Sequence, residues 1–211
     1  MNETLLVFLL YITLLLICVR GYYIFYPSLA AHFPDSEIEI KKVINEKKLM
    51  TSIDKDFFNS TDKSVSYVFY DYCIKNKLSY THTEITKMYE LETIKIMFMK
   101  VLYNRIRPEY LVKDIALQSN NDSGPSFPSK HAYQAYLVAK KISDKYPEHK
   151  NNLIELAKKC DDIRVKAGLN FPSDGEFSYN LIFNPEKYGI TLFLRLLDFL
   201  RIFDILRFIF I

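Results

Sequence analysis

Glycine is scarce in this chain, with 5 residues in 211, whereas 49% of the residues are hydrophobic and 15% aromatic. Such a composition argues against disorder and favours a well-filled, helix-rich interior. Cysteine is rarer still. Cys18, Cys73 and Cys160 are far apart and show no C-x-x-C spacing, so nothing here reads as a cysteine metal site. A Cys73–Cys160 disulfide is left open. Net charge is small as well: 28 basic and 25 acidic residues are interspersed to give +3, too little for a nucleic-acid-binding surface. Charge is therefore expected to act locally. There is no internal repeat, no low-complexity linker and no stretch of six or more residues that alternates convincingly as a strand. The expectation is one all-α domain.

The apolar run Leu5–Val19 has the length of a signal-peptide core and is a little short for a membrane span, but Arg20 and a further aromatic stretch follow it. No basic segment precedes it, and no clean cleavage site follows. It is read as an uncleaved anchor in preference to a cleaved signal. At the other end, Arg195, Asp198, Arg201, Asp204 and Arg207 recur every third residue among Leu, Ile and Phe. This is the pattern of an amphipathic helix, suited to a membrane interface, a partner helix or the protein's own core. The chain accordingly divides into a signal anchor or signal peptide (1–26), a helical domain (27–189) and an amphipathic C-terminal helix (190–211). The expected location is the membrane or secretory pathway.

Helical periodicity is expected over 84–106, 130–146 and 151–167, with turns at Pro108, at 120–129 and at 169–176. Lysine-rich residues 38–49 read as a solvated helix face. Three clusters within this frame carry chemistry. In 100–108, Lys100 and Arg107 are seven residues apart, which places both cations on one helix face before Pro108 and suits them to clamp an anion. In 125–141, Ser129 is a helix cap that leaves the backbone N–H groups of Lys130, His131 and Ala132 at the positive end of a helix dipole. His131 there has the chemistry of a general acid. In 163–174, Arg164 offers a planar fork for phosphate oxygens, Gly168 permits a close turn, and Asp174 can orient a neighbouring donor. Taken singly, each cluster reads equally as an ordinary solvated face, a surface histidine after a cap, or a structural salt bridge.

Together the three clusters resemble the tripartite signature of the phosphatidic acid phosphatase type 2 superfamily, which includes class A acid phosphatases, lipid phosphate phosphatases and vanadium haloperoxidases. The first motif matches through Lys100, Arg107 and Pro108. The second reads Pro128, Ser129, Lys130 and His131, with lysine where the family has glycine. The third has Ile163 in place of serine, then Arg164, Asn170 and Asp174 in register, with asparagine at the position of the histidine nucleophile.

The resemblance implies an all-α helical bundle of the acid phosphatase and haloperoxidase type, with Lys100, Arg107, Ser129, Lys130 and Arg164 around a phosphate. It casts His131 as general acid and Asp174 as the holder of the nucleophile. The family activity is phosphoric monoester hydrolysis without metal or cofactor, on a small phosphoester or a lipid phosphate. An amide cannot become a phosphohistidine, nor ligate vanadium as the family's histidine does. Activity is therefore expected to be weak or absent, as in a pseudoenzyme. The alternative is a non-catalytic module for a phosphorylated ligand or a membrane.

Overall fold

The computed structural model describes residues 33–119 and 124–188, together with Leu9 and Thr13. The described residues are all-helical. Helix α1 (Ser36–Lys48) starts at Asp35, whose side chain accepts from the Glu37 amide, and carries acids in its first turn and lysines in its last. Its lysine-rich face is exposed, while Ile40 and Val43 turn inward. Helix α2 (Ser52–Lys63) opens with a reciprocal Thr51–Asp54 capping box. Helix α3 (Ser66–Lys75) follows, then the short α4 (His82–Lys87), capped by Thr81 and Glu84.

Helix α5 (Glu90–Tyr103) ends earlier than the periodicity suggests. Asn104 takes a left-handed conformation (φ 42°), so 104–107 leave the helix and Arg107 enters Pro108 in an extended conformation. Lys100 and Arg107 thus do not share a helix face as expected.

Helix α6 (Lys130–Lys145) is the centre of the domain, buried continuously from His131 to Ala139. It packs chiefly on α7 (Lys150–Lys166) and α8 (Pro172–Phe183). The main core joins Phe69, Ile96, Phe127, Ala135, Val138, Leu153 and Phe177 from α3, α5, the loop before α6, and α6 to α8. Apolar burial of this kind stabilises a helix far more than its intrinsic propensity does. Cys73 and Cys160 are both buried free thiols, so the disulfide left open by the sequence is not formed.

Gly168 ends α7. Its φ is 74°, and a Cβ there would sit 2.4 Å from the Ile115 carbonyl oxygen, so only glycine fits. The Gly168 amide donates to the Val165 carbonyl and that of Leu169 to Arg164, closing the helix with a left-handed cap. Pro172, at the first position of α8, restarts the chain two residues after Asn170.

The described helices correct the expected location. Among the described residues no helix is long and apolar enough to cross a membrane. Helix α7, at 17 residues the longest of them, spans only about 25 Å at 1.5 Å per residue and is rich in charge. A hydrocarbon core needs about 30 Å of apolar helix. The assignments of a transmembrane helix and of a membrane or secretory-pathway location are therefore withdrawn. The anchor or signal assigned to 1–26 and the amphipathic helix assigned to 190–211 lie outside the described residues, save for Leu9 and Thr13.

Candidate functional site

The three motif segments meet at the start of α6. Lys100, on the last turn of α5, is buried and donates from Nζ to the carbonyls of Pro125 (2.6 Å) and Ser126 (3.1 Å). Arg107 donates from Nε to Gly124 O (2.6 Å), from Nη1 to Leu169 O (2.6 Å) and from Nη2 to Pro125 O (3.3 Å). One guanidinium thereby ties the first cluster to both of the others. Ser126 fastens the same junction, its amide donating to Arg105 O and its hydroxyl to Ile106 O.

Ser129 caps α6 as its sequence suggests: its Oγ accepts from the Ala132 amide, so that N–H is already engaged within the helix. Its own amide donates to Asp174 O (3.1 Å), and its carbonyl accepts from the Ser178 hydroxyl (2.9 Å), which binds α8 to the start of α6. The Phe127–Pro128 peptide just before is cis.

The cations here are close enough to perturb one another. Burial holds the half-buried Lys130 at about 8, against 10.5 for an ordinary lysine, with the Arg107 charge adding to the effect and Asp62 opposing it. Arg107 and Arg164 are both lowered to about 10 by burial. All three remain cationic at neutral pH.

His131 is buried, and desolvation followed by the Lys130 charge depresses it to about 3. Its Nε2 lies 3.2 Å from the Asp62 carbonyl oxygen. A carbonyl only accepts, so Nε2 carries the proton and donates it to the backbone. A neutral imidazole with that proton committed is poorly prepared to protonate a leaving group.

Arg164 donates from Nη1 to Asp62 Oδ1 at 2.8 Å, and the Ser119 hydroxyl reaches the same oxygen at 2.6 Å. Asp174 accepts the Phe171 amide on Oδ2 at 2.8 Å. The amide nitrogen of Asn170 stands between Asp174 Oδ2 (3.1 Å) and Ser126 O (2.8 Å), so Asn170 occupies the orienting position beside Asp174 and carries no nucleophile.

Two groups that sequence reasoning passed over complete the arrangement. The first is Asp62 on α2, in a helix whose sequence carries no motif. The second is Arg105, two residues before Arg107. It is fully buried and donates to Asp174 Oδ1 (2.7 Å), Ser173 Oγ (2.7 Å), Glu39 Oε2 (2.7 Å), Pro34 O (3.0 Å) and Ser36 Oγ (3.0 Å), between the rings of Phe33 and Phe171. Arg105 pairs directly with Asp174 Oδ1, while the Asp174 charge also acts on Arg107. The only sequence signal of Arg105 is its place inside the first motif. No group of His, Cys, Asp and Glu suited to a metal occurs among the described residues.

No protein-family model matches the chain, and no curated protein matches it. The phosphatase and hydrolase designations implied by the motifs therefore gain no support from comparison.

Proposed function

We propose that this cluster binds the phosphate group of a small phosphorylated molecule without hydrolysing it, on a frame of the acid phosphatase type. The observation that carries this reading is the placement of Arg107. It bonds to the carbonyls of Gly124, Pro125 and Leu169, and its charge acts on both Lys130 and Arg164. Cations from three separate segments are thus held together inside the protein, where a buried positive cluster favours an anion far more than it would in water. The spacing that the sequence shares with the phosphatidic acid phosphatase type 2 superfamily supports phosphate as that anion.

Loss of hydrolysis rests on two side chains. The Asn170 amide nitrogen has its lone pair delocalised into the carbonyl and cannot take the histidine's nucleophilic role, and the His131 Nε2 proton is held by Asp62 O. Removing the nucleophile from a covalent mechanism costs on the order of a millionfold in turnover. The test is hydrolysis of an aryl phosphate by the natural protein, by Asn170→His and by Asn170→His combined with Arg164→Ala. The natural protein is expected to be inactive and Asn170→His to gain at most weak, Arg164-dependent turnover. Turnover by the natural protein close to that of the single variant would refute the loss of hydrolysis.

A further inference from the structure

Asn170 has one amide group with two donor hydrogens and one acceptor oxygen, and the structure decides which of these faces outward. The Nδ2 position lies between a carbonyl oxygen and a carboxylate oxygen, Ser126 O at 2.8 Å and Asp174 Oδ2 at 3.1 Å. Both neighbours are acceptors, so the nitrogen must be there and the amide cannot be flipped. Neither acceptor can move away easily. Ser126 O also receives the Lys100 ammonium at 3.1 Å, and Asp174 is pinned by Arg105 Nη1 at 2.7 Å and by the Phe171 amide at 2.8 Å. Both amide hydrogens are therefore committed. Among the described residues no donor reaches Asn170 Oδ1, although the residue is only 3% exposed. Lys100 shares the Ser126 carbonyl with Asn170, and Arg107 bonds the carbonyl of the preceding residue, Leu169, while its charge acts on Lys130 and Arg164.

We propose that Asn170 is the residue that sets ligand specificity, its Oδ1 accepting a hydrogen bond from a protonated phosphate oxygen, so that the site takes a phosphate monoanion bearing an O–H in preference to anions of the same shape and charge that lack one. This rests on the phosphate-site reading above and deepens it. A family histidine at this position would attack phosphorus; an asparagine held in this orientation instead reads whether the bound anion carries a proton. The discrimination arises because an unprotonated oxygen there would meet Oδ1 lone pair to lone pair, whereas a P–O–H donates to it. Sites built around a specific hydrogen bond reject analogues that lack it much more strongly than apolar pockets reject a change of size.

The discriminating pair of probes is methyl phosphate and methyl sulfate at pH 5. Both are monoanions of similar shape there, because the second ionisation of a phosphate ester lies at about pH 6, and only the phosphate carries an O–H. Binding is measured by calorimetry on the natural protein, Asn170→Ala and Arg107→Met, with circular dichroism to establish folding. Methyl phosphate should bind the natural protein at least about tenfold more tightly than methyl sulfate. That ratio should fall towards one in Asn170→Ala, and Arg107→Met should weaken both probes together. Equal affinities in the natural protein overturn the inference while leaving the anion site standing, and this comparison needs no variant to fold. A ratio that persists in folded Asn170→Ala overturns it too, by assigning the discrimination to another residue. If neither probe binds the natural protein, the anion-site reading itself fails and the inference falls with it.

Discussion

Asp161 offers a sharp test of how this interior handles charge. It lies on α7 with its carboxylate against α8, where a Cβ on Gly175 would come within 1.9 Å of Oδ1. Oδ2 accepts from the Tyr136 hydroxyl at 3.3 Å, whereas Oδ1 is buried without a hydrogen-bond partner. Desolvation, with Asp162 second, raises the group from 3.8 to about 8. The unfolded chain releases this proton near pH 4 and the folded protein only near pH 8. Stability is therefore whole below the lower value and lost as pH rises towards the upper one. Each pH unit carries about 1.4 kcal/mol, so the full loss is of order 6 kcal/mol, less whatever relaxation and water entry recover. Asp161→Asn removes the titration and keeps the shape. Urea unfolding between pH 4.5 and 7.5 should show the natural protein losing about 1 kcal/mol per pH unit more than the variant, with the two alike at the acid end. Asp162, also raised by burial, contributes to both proteins and cancels in the comparison. Parallel stability curves would refute the reasoning.

The same contact predicts that Gly175→Ala destabilises by about 1–3 kcal/mol through overpacking, seen as a lower melting temperature and relieved when Asp161 is also changed to Ala. Arg105→Ala should cost about 3–5 kcal/mol in denaturant unfolding, because it strands the buried carboxylates of Glu39 and Asp174. Lys130 is cationic below about pH 8 and neutral above it, so methyl sulfate affinity should fall as pH rises from 6 to 9, and Lys130→Met should flatten that profile in calorimetry. His131, held at about 3, should produce no inflection near pH 6.5 in the same titration.

Local chemistry made much of this fold readable. The Ser129 cap, the limits of α6 and α7 and the turn at Gly168 follow from short-range rules of capping and backbone freedom, and they stand where those rules put them. Arg107 shows where periodicity stops being a guide: Asn104 breaks α5 with a left-handed residue, and the arginine reaches its carbonyl partners from extended chain. Asp62 and Glu39 were not legible at all, because a single acid on an amphipathic helix looks like a solvated residue until tertiary packing sets it against Arg164 or Arg105. The membrane assignment drew on terminal runs outside the described residues, whereas the described helices are short and charged. Asn170 was legible as a missing nucleophile, but the orientation of its amide depends on Ser126 O and Asp174 together.

Phosphorus NMR of phenyl phosphate mixed with the natural protein tests most directly whether the cluster binds phosphate without cleaving it. The expected result is a protein-dependent shift or broadening of the ester signal that is lost in Arg107→Met, with no inorganic phosphate accumulating over hours. An unperturbed signal would contradict binding, and a growing inorganic phosphate peak would contradict the loss of hydrolysis.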